Sequence, residues 1–173
     1  LYMVPLALGI ACSSRVGFWM GANHARHAEQ AAHTGLQLCL GMALICSGML
    51  AFNRELLAHL FSANTEVATA ASTLLAWVAL YHLVDALQAV CAFMLRCYRI
   101  TLAPLVIYGV LLWGIGLAGG YFLAYVGSAA IPAAPMPGSF WSAATLALGV
   151  VALSFLWLLV RAVKQPRPGT PTP

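Results

Sequence analysis

The sequence predicts an all-α, polytopic membrane protein that forms a bundle of about five transmembrane helices. Of its 173 residues, 62% are hydrophobic and only 7% are charged, and the mean hydropathy is +0.90. Soluble domains have about 25% charged residues, so this composition is that of an integral membrane protein. The apolar residues also fall into five separate runs, which match the roughly 20 residues that a helix needs to cross a bilayer.

The first two predicted spans are Leu1–Trp19 and about Gly35–Phe52, and the polar stretch Asn23–His33 separates them. A short interfacial turn is expected at Leu56–Phe61, after the polar end of the second span. The chain starts within an apolar run and does not start with Met. We therefore expect it to be a fragment of a longer protein.

The third predicted span begins at a cap formed by Asn64 or Thr65 and ends at Arg96. Asn and Thr are favoured N-caps because their side chains accept hydrogen bonds from free backbone N–H groups. Glu66 then lies in the first turn, where the helix dipole favours negative charge. The segment between the cap and Arg96 is the longest of the predicted helices that cross the membrane.

The fourth predicted span, Leu102–Val126, is rich in glycine, and an uncharged loop at 127–139 leads to the fifth span, Phe140–Val160. Small residues in the second and fourth spans favour close packing of helices in lipid. Alternatively, the glycines allow these helices to bend at a transport pathway. We predict a transmembrane region over residues 1–161, which the family resemblance described below implies to be a partial C-terminal lobe, and a polar, disordered cytoplasmic tail over residues 162–173.

The positions of Lys and Arg indicate the orientation in the membrane. Only Arg54 lies on one side, and the other seven follow the first, third and fifth spans. Positive residues mark the cytoplasmic side, so we predict a multi-pass protein of the inner (plasma) membrane with a cytoplasmic C-terminus. The lipid bilayer is its partner, and these scattered charges do not predict nucleic-acid binding. The seven are Arg15, Arg26, Arg96, Arg99, Arg161, Lys164 and Arg167.

Asp85 is the only acidic residue deep within an apolar run, which extends over Val67–Leu95. At about 1.5 Å per residue, the distance from Asp85 to Arg96 is roughly 16 Å along the helix. If Arg96 lies at the head groups, the carboxylate is near the middle of a core about 30 Å thick. Such a carboxylate is costly and is expected to be functional; a protonated Asp hydrogen-bonded to a neighbouring helix is the structural alternative.

Three polar residues near Asp85 are candidates for the same site. Tyr81 and Gln88, at i−4 and i+3, lie on its helical face, and His82 is a candidate proton-relay partner that lines the pathway with Gln88.

No metal site is predicted, because the histidines after the first span have no carboxylate or cysteine in register. The sequence also contains no catalytic triad, H-E-x-x-H motif or phosphate-binding loop, so we predict neither an enzyme nor a bound cofactor.

Several motifs in register resemble the multidrug and toxic compound extrusion (MATE) family, and most closely its NorM-type branch. The first resembles the eighth helix of the family, the next three continue the match in order, and the last resembles the eleventh helix. They are Pro5-x-x-x-Gly9-x-Ala11-x-x-x-Arg15-Val16-Gly17-x-x-x-Gly21-Ala22, Leu60-Phe61 with Glu66-Val67, Tyr81-x-x-x-Asp85-x-x-Gln88, Leu95-Arg96-x-Tyr98 and Gly116-Leu117-x-x-Gly120-Tyr121. Phe93 and Cys97 replace glycines usual in the family, and Ala118-Gly119 replaces Pro-Leu.

The resemblance extends from Leu1 to about Arg161 and implies the end of helix eight to helix twelve of a two-lobed, twelve-helix fold. It implies secondary active multidrug efflux of lipophilic or cationic, drug-like compounds in exchange for sodium ions or protons. The N-terminal lobe of the same chain would then be a further partner. In NorM-like members an acidic residue at the position of Asp85 helps to bind the coupling cation, and the tyrosine at the position of Tyr81 lies beside it.

Two alternatives remain open at this stage. A lipid-linked precursor flippase of the same superfamily would be expected to have more basic residues within its spans. A non-transporting structural or channel-forming membrane subunit would be expected to have repeated polar or charged rings, whereas this chain has a single buried carboxylate.

Overall fold

Five of the six helices in this computed structural model are long and apolar enough to cross a membrane. The structure describes residues 2–127 and 131–164, and no β-strand occurs within them. The predicted all-α bundle with five spans is therefore confirmed. The six helices are α1 (Met3–Gly21), α2 (Ala25–Phe52), α3 (Arg54–Phe61), α4 (Thr65–Cys97), α5 (Leu102–Val126) and α6 (Pro137–Lys164).

The second helix begins at Ala25, earlier than the predicted start at Gly35. The polar stretch Asn23–His33 was expected to separate two spans, and most of it is helical. Its Ala, Arg, Glu and Gln residues all have high helix propensity, so the polarity marks where the helix leaves the hydrocarbon and not where it ends. The turn between α1 and α2 is confined to about three residues, of which Asn23 has φ of +59°.

The connection from α2 to α4 contains a helix where the sequence predicted a short turn. The eight residues of α3 begin directly after Asn53, and its Ala58 is buried. The predicted cap of α4 is confirmed: Asn64 Oδ1 accepts hydrogen bonds from the backbone N–H groups of Glu66, at 2.9 Å, and Val67, at 3.4 Å.

The fifth helix has the predicted bounds but not a uniform α-helical backbone. Its segments Leu112–Ala118 and Phe122–Val126 are π-helical, with wider turns than an α-helix. Only one glycine of this helix makes a very close contact, because a Cβ added at Gly120 would lie 2.6 Å from Phe140 Cδ1 of α6. Gly114 faces open space, so the glycines of α5 do not form one continuous packing face.

The last helix is longer at both ends than the predicted span Phe140–Val160. Residues 162–164, assigned to the polar tail, continue this helix to Lys164, because one more turn of α-helix satisfies their backbone groups. The rest of the predicted disordered tail, residues 165–173, lies outside the described residues.

The core is organised around α4, which packs against α1, α2, α3 and α6, while α5 packs mainly against α6. Close approach of α2 is possible because its buried face consists largely of small residues. The Cys39 thiol donates a hydrogen bond to the Ala86 carbonyl of α4 at 3.4 Å. At Gly35 an added Cβ would lie 2.6 Å from Cys12 Sγ and 2.8 Å from Met94 Cε, whereas Gly41 faces open space.

Two residues that depart from the MATE pattern pack against glycines of α1. A Cβ added at Gly9 would lie 2.6 Å from the ring of Phe93, so the missing side chain makes room for this ring. The Cys97 thiol donates a hydrogen bond to the Ser13 carbonyl at 3.2 Å and lies 3.9 Å from the Cβ position of Gly17. The parallel pair α1–α4 therefore accommodates both substitutions, and α4 remains α-helical from end to end.

Candidate functional site

A cavity of about 660 Å³ lies beside α4, and several polar side chains line it. It extends along α4 from the level of Tyr81 to that of Arg96, in the last turn of this helix. Side chains of α5, the start of α1 and Phe155 of α6 complete its wall.

One face of α4 supplies the polar side of this cavity. Tyr81, Asp85, Gln88, Ala92 and Arg96 all line it. Their spacings of four, three, four and four residues place them in one row on an α-helix. The sequence-predicted group of Tyr81, Asp85 and Gln88 is thus brought to a single surface, and Arg96 lies at the C-terminal end of this row.

The Asp85 carboxylate is half-buried in this row. Among the described residues it has no hydrogen bond and no ion pair that would neutralise it. Tyr81 and Tyr108 line the same cavity, and both are near enough to Asp85 for electrostatic interaction with its carboxylate. The ring of Tyr81 packs edge-on against Trp141 of α6, with 5.6 Å between centroids, which restrains its position.

These side chains place several oxygen atoms in the same cavity as the Asp85 carboxylate, whose charged form is unfavourable when it is removed from water. The carboxylate, the tyrosine hydroxyls and the Gln88 amide oxygen are ligands suited to a hard cation, which oxygen atoms bind. A proton neutralises the carboxylate equally well, since a desolvated carboxylate is stabilised by either species. These side chains are therefore suited to neutralisation of the carboxylate by a small cation or by a proton.

His82 lies on a different face of α4 from Asp85. It is 5% exposed, it does not line the cavity, and its Nε2 has no hydrogen-bond partner. Val78, one turn before it, lines a cavity that α2 borders. The carbonyl of Ala86, one turn after it, accepts a hydrogen bond from a thiol of α2. Ser47 of α2 also has a buried hydroxyl without a partner. The structure thus brings Tyr81 and Gln88 to Asp85 but buries His82 outside the cavity that the other three residues share.

The histidines at the turn between α1 and α2 pack against an aromatic ring. Trp19 stacks on His27 with 4.7 Å between ring centroids and lies 5.9 Å from His24. Among residues 2–127 and 131–164, no group of three or more His, Cys, Asp or Glu side chains is arranged to hold a metal ion.

Sequence reasoning missed three polar residues of the cavity: Tyr2, Thr101 and Tyr108. The start of α5 contained a weak signal in the sequence, because three residues there are spaced so that they share one helical face. They are Thr101, Pro104 and Tyr108. Tyr2 had none, because a single aromatic residue at the start of a span also fits an interfacial position.

Comparisons with known proteins agree with the motifs. The MatE family model matches residues 1–122. Two relatives are named "Probable multidrug resistance protein NorM": one from Aromatoleum aromaticum is 34% identical and one from Shewanella oneidensis is 35% identical, each over 96% of this chain and 36% of the relative. "Multidrug resistance protein PmpM" of Pseudomonas aeruginosa is 31% identical over 95% of this chain and 34% of the relative.

The chain spans about a third of the length of these relatives. Its match to the family model nevertheless covers more than half of the chain and includes α1, α4 and nearly all of α5. The chain therefore belongs to the MATE family, in its NorM-type branch.

Proposed function

We propose that this protein is part of a secondary active multidrug efflux transporter. It exports lipophilic or cationic compounds in exchange for sodium ions or protons. Asp85 binds the coupling cation, with Tyr81 beside it and Gln88 on the same face. Loading and unloading of that cation shift the equilibrium between inward- and outward-facing states, because the cation binds the two states with different affinity.

The observation that carries this proposal is the half-buried Asp85 carboxylate in a cavity of about 660 Å³. A charge at this depth in a membrane protein is expensive, and charged residues within spans generally mark ion or substrate pathways. Tyrosine hydroxyls and an amide oxygen line the same cavity, so a cation that enters it meets several oxygen ligands. The names of the relatives, which refer to multidrug resistance, support the same proposal.

The cavity lining favours an exporter over the two alternatives. Arg96 is the only basic side chain among its described lining residues, and it lies at the end of the cavity. A flippase for an anionic lipid-linked precursor is expected to need more positive charge there. A channel is expected to have repeated polar rings, but the cavity contains one carboxylate on one helix.

The proposal is tested by efflux of ethidium from cells that produce the full-length protein. We expect lower ethidium accumulation than in control cells, and we expect the difference to disappear when an ionophore discharges the sodium or proton gradient. Depletion of ATP at a maintained gradient should leave efflux unchanged. Efflux that persists after both gradients are discharged would contradict the proposal.

A further inference from the structure

A second cavity, of about 960 Å³, lies between α2, α3 and α4, at the end of the bundle opposite Arg96. We call it the α3 groove. It is bordered by the end of α2 from Cys46, by α3, and by the start of α4 from Val67 to Val78. Its lining side chains are apolar except Asn53 and Ser62, which both lie at the ends of α3.

The dimensions of the α3 groove match one leaflet of a bilayer. The α4 residues that line it run from Val67 to Val78, which is roughly 16 Å at about 1.5 Å per residue. This length is about half of a hydrocarbon core that is about 30 Å thick. The polar side chains Asn53 and Ser62 lie at one end of the groove, so it has a polar head and an apolar body.

Helix α3 fixes the level of that polar end. At about 100° per residue, Leu56, Leu57, Leu60 and Phe61 form one apolar face of α3. Leu60 and Phe61 are 76% and 86% exposed, although both are apolar. A short amphipathic helix of this kind lies at the boundary between head groups and acyl chains. The polar end of the groove is therefore at head-group level.

A positive charge is available at the same level. Arg54 begins α3 and is the only Lys or Arg of the sequence on this side of the membrane. On the helical wheel it lies beside Phe61, at the edge of the apolar face, while Glu55 points about 100° away from it. A guanidinium is well suited to bind a phosphate group, because its planar fork donates paired hydrogen bonds.

From these observations we infer that the α3 groove binds a phospholipid of the outer leaflet. One acyl chain lies along α4 between Val67 and Val78, and the phosphate lies at Arg54 and Asn53. A transmembrane protein segment fits less well, because the groove ends at about half the thickness of the core and a protein segment supplies no phosphate to Arg54. A cationic drug also fits less well, because no acidic side chain lines the groove.

The inference is tested with the purified full-length protein by native mass spectrometry, with phosphatidylglycerol of a single acyl composition added in mild detergent. Ala71 lines the groove and is half-buried, so Ala71→Trp fills it; Ala70 is exposed and does not line it, so Ala70→Trp is the matched control. We expect Ala71→Trp to weaken phosphatidylglycerol binding at least about tenfold and Ala70→Trp to leave it unchanged. Equal binding by the two variants would overturn the inference.

Arg54→Gln provides a second test that leaves the apolar part of the groove intact. It should weaken binding of phosphatidylglycerol several-fold but leave binding of the uncharged probe diacylglycerol unchanged. A photoreactive side chain at position 71 should form crosslinks to lipid in native membranes. Crosslinks to protein alone, or equal loss of both probes in Arg54→Gln, would overturn the inference even if Ala71→Trp failed to fold.

Discussion

Asp85 has an ionisable side chain that is half-buried and, among the described residues, has no hydrogen bond or ion pair. A group used only for structure would be expected to have a partner, because an unpaired buried charge is strongly destabilising. Its cavity instead provides oxygen atoms from Tyr81, Tyr108 and Gln88. The residue is therefore better suited to exchange a cation than to support helix packing.

We predict that Asp85→Asn abolishes coupled transport while the protein remains inserted and folded. Asn is nearly isosteric with Asp, but it can neither exchange a proton nor offer a full negative charge to sodium. Stability should be unchanged or slightly higher, because removal of a buried ionisable group lowers the desolvation cost. The measurement is substrate efflux from proteoliposomes under an imposed sodium or proton gradient, with the melting temperature recorded in parallel.

Tyr81→Phe is the companion variant for this experiment. It keeps the ring that packs against Trp141 and removes only the hydroxyl, so efflux should fall less than in Asp85→Asn. Efflux at the wild-type rate in Asp85→Asn would show that the carboxylate has a structural role only. A larger loss in Tyr81→Phe than in Asp85→Asn would move the coupling role to the hydroxyl.

At the scale of helices, close packing depends on particular glycines and not on glycine content. Gly35 of α2 lies against Cys12 of α1 and Met94 of α4, and it therefore sets the distance between three helices. Gly41, two turns further along α2, has no neighbour within 4 Å of an added Cβ. In α5, likewise, an added Cβ would meet a close neighbour at Gly120 but none within 4 Å at Gly114.

We predict that Gly35→Ala destabilises the protein by about 1–3 kcal/mol, the usual cost of overpacking a well-packed core. Gly41→Ala, in the same helix, should be neutral or stabilising by up to about 1 kcal/mol, because Ala has the higher helix propensity. Thermal unfolding of the two variants in the same detergent makes the comparison. A Gly35→Ala variant as stable as Gly41→Ala would show that α1, α2 and α4 do not approach as closely as described.

For the whole molecule, the helix ends place the basic residues at two opposite ends of the bundle, as the predicted orientation requires. Arg15, Arg96 and Lys164 lie near the ends of α1, α4 and α6, whereas Arg54 lies at the opposite end of the bundle. Because successive spans alternate in direction, these positions retain the charge asymmetry found in the sequence. Arg167, which the sequence predicts on the same side as Lys164, lies outside the described residues.

We predict that Lys164→Cys is inaccessible, and Arg54→Cys accessible, to an impermeant thiol reagent added to intact cells. Positive residues remain on the cytoplasmic side during insertion, so the two positions should lie on opposite sides. The native cysteines provide a low background, since each of the five is buried or half-buried. Labelling of Lys164→Cys from outside, at the rate of Arg54→Cys, would reverse the predicted orientation.

The class, the number of spans and the row of Tyr81, Asp85 and Gln88 were all predictable without a structure. Composition and span length are set by the bilayer, and residues at spacings of three and four share a face of any α-helix, so neither needs a tertiary structure. The same holds for the cap at Asn64, where one side chain bonds to its own backbone neighbours.

The tertiary structure alone decided which surfaces face each other. The start of α2 at Ala25 was missed because helix propensity continued beyond the apolar run. Tyr108 joins Asp85 across the cavity, while His82, only three residues from Asp85, is buried elsewhere and does not line the cavity. Such placements depend on the rotation of each helix and on its distance from its neighbours. In lipid, both are set by how small and large side chains fit together between helices, as Gly9 and Phe93 do.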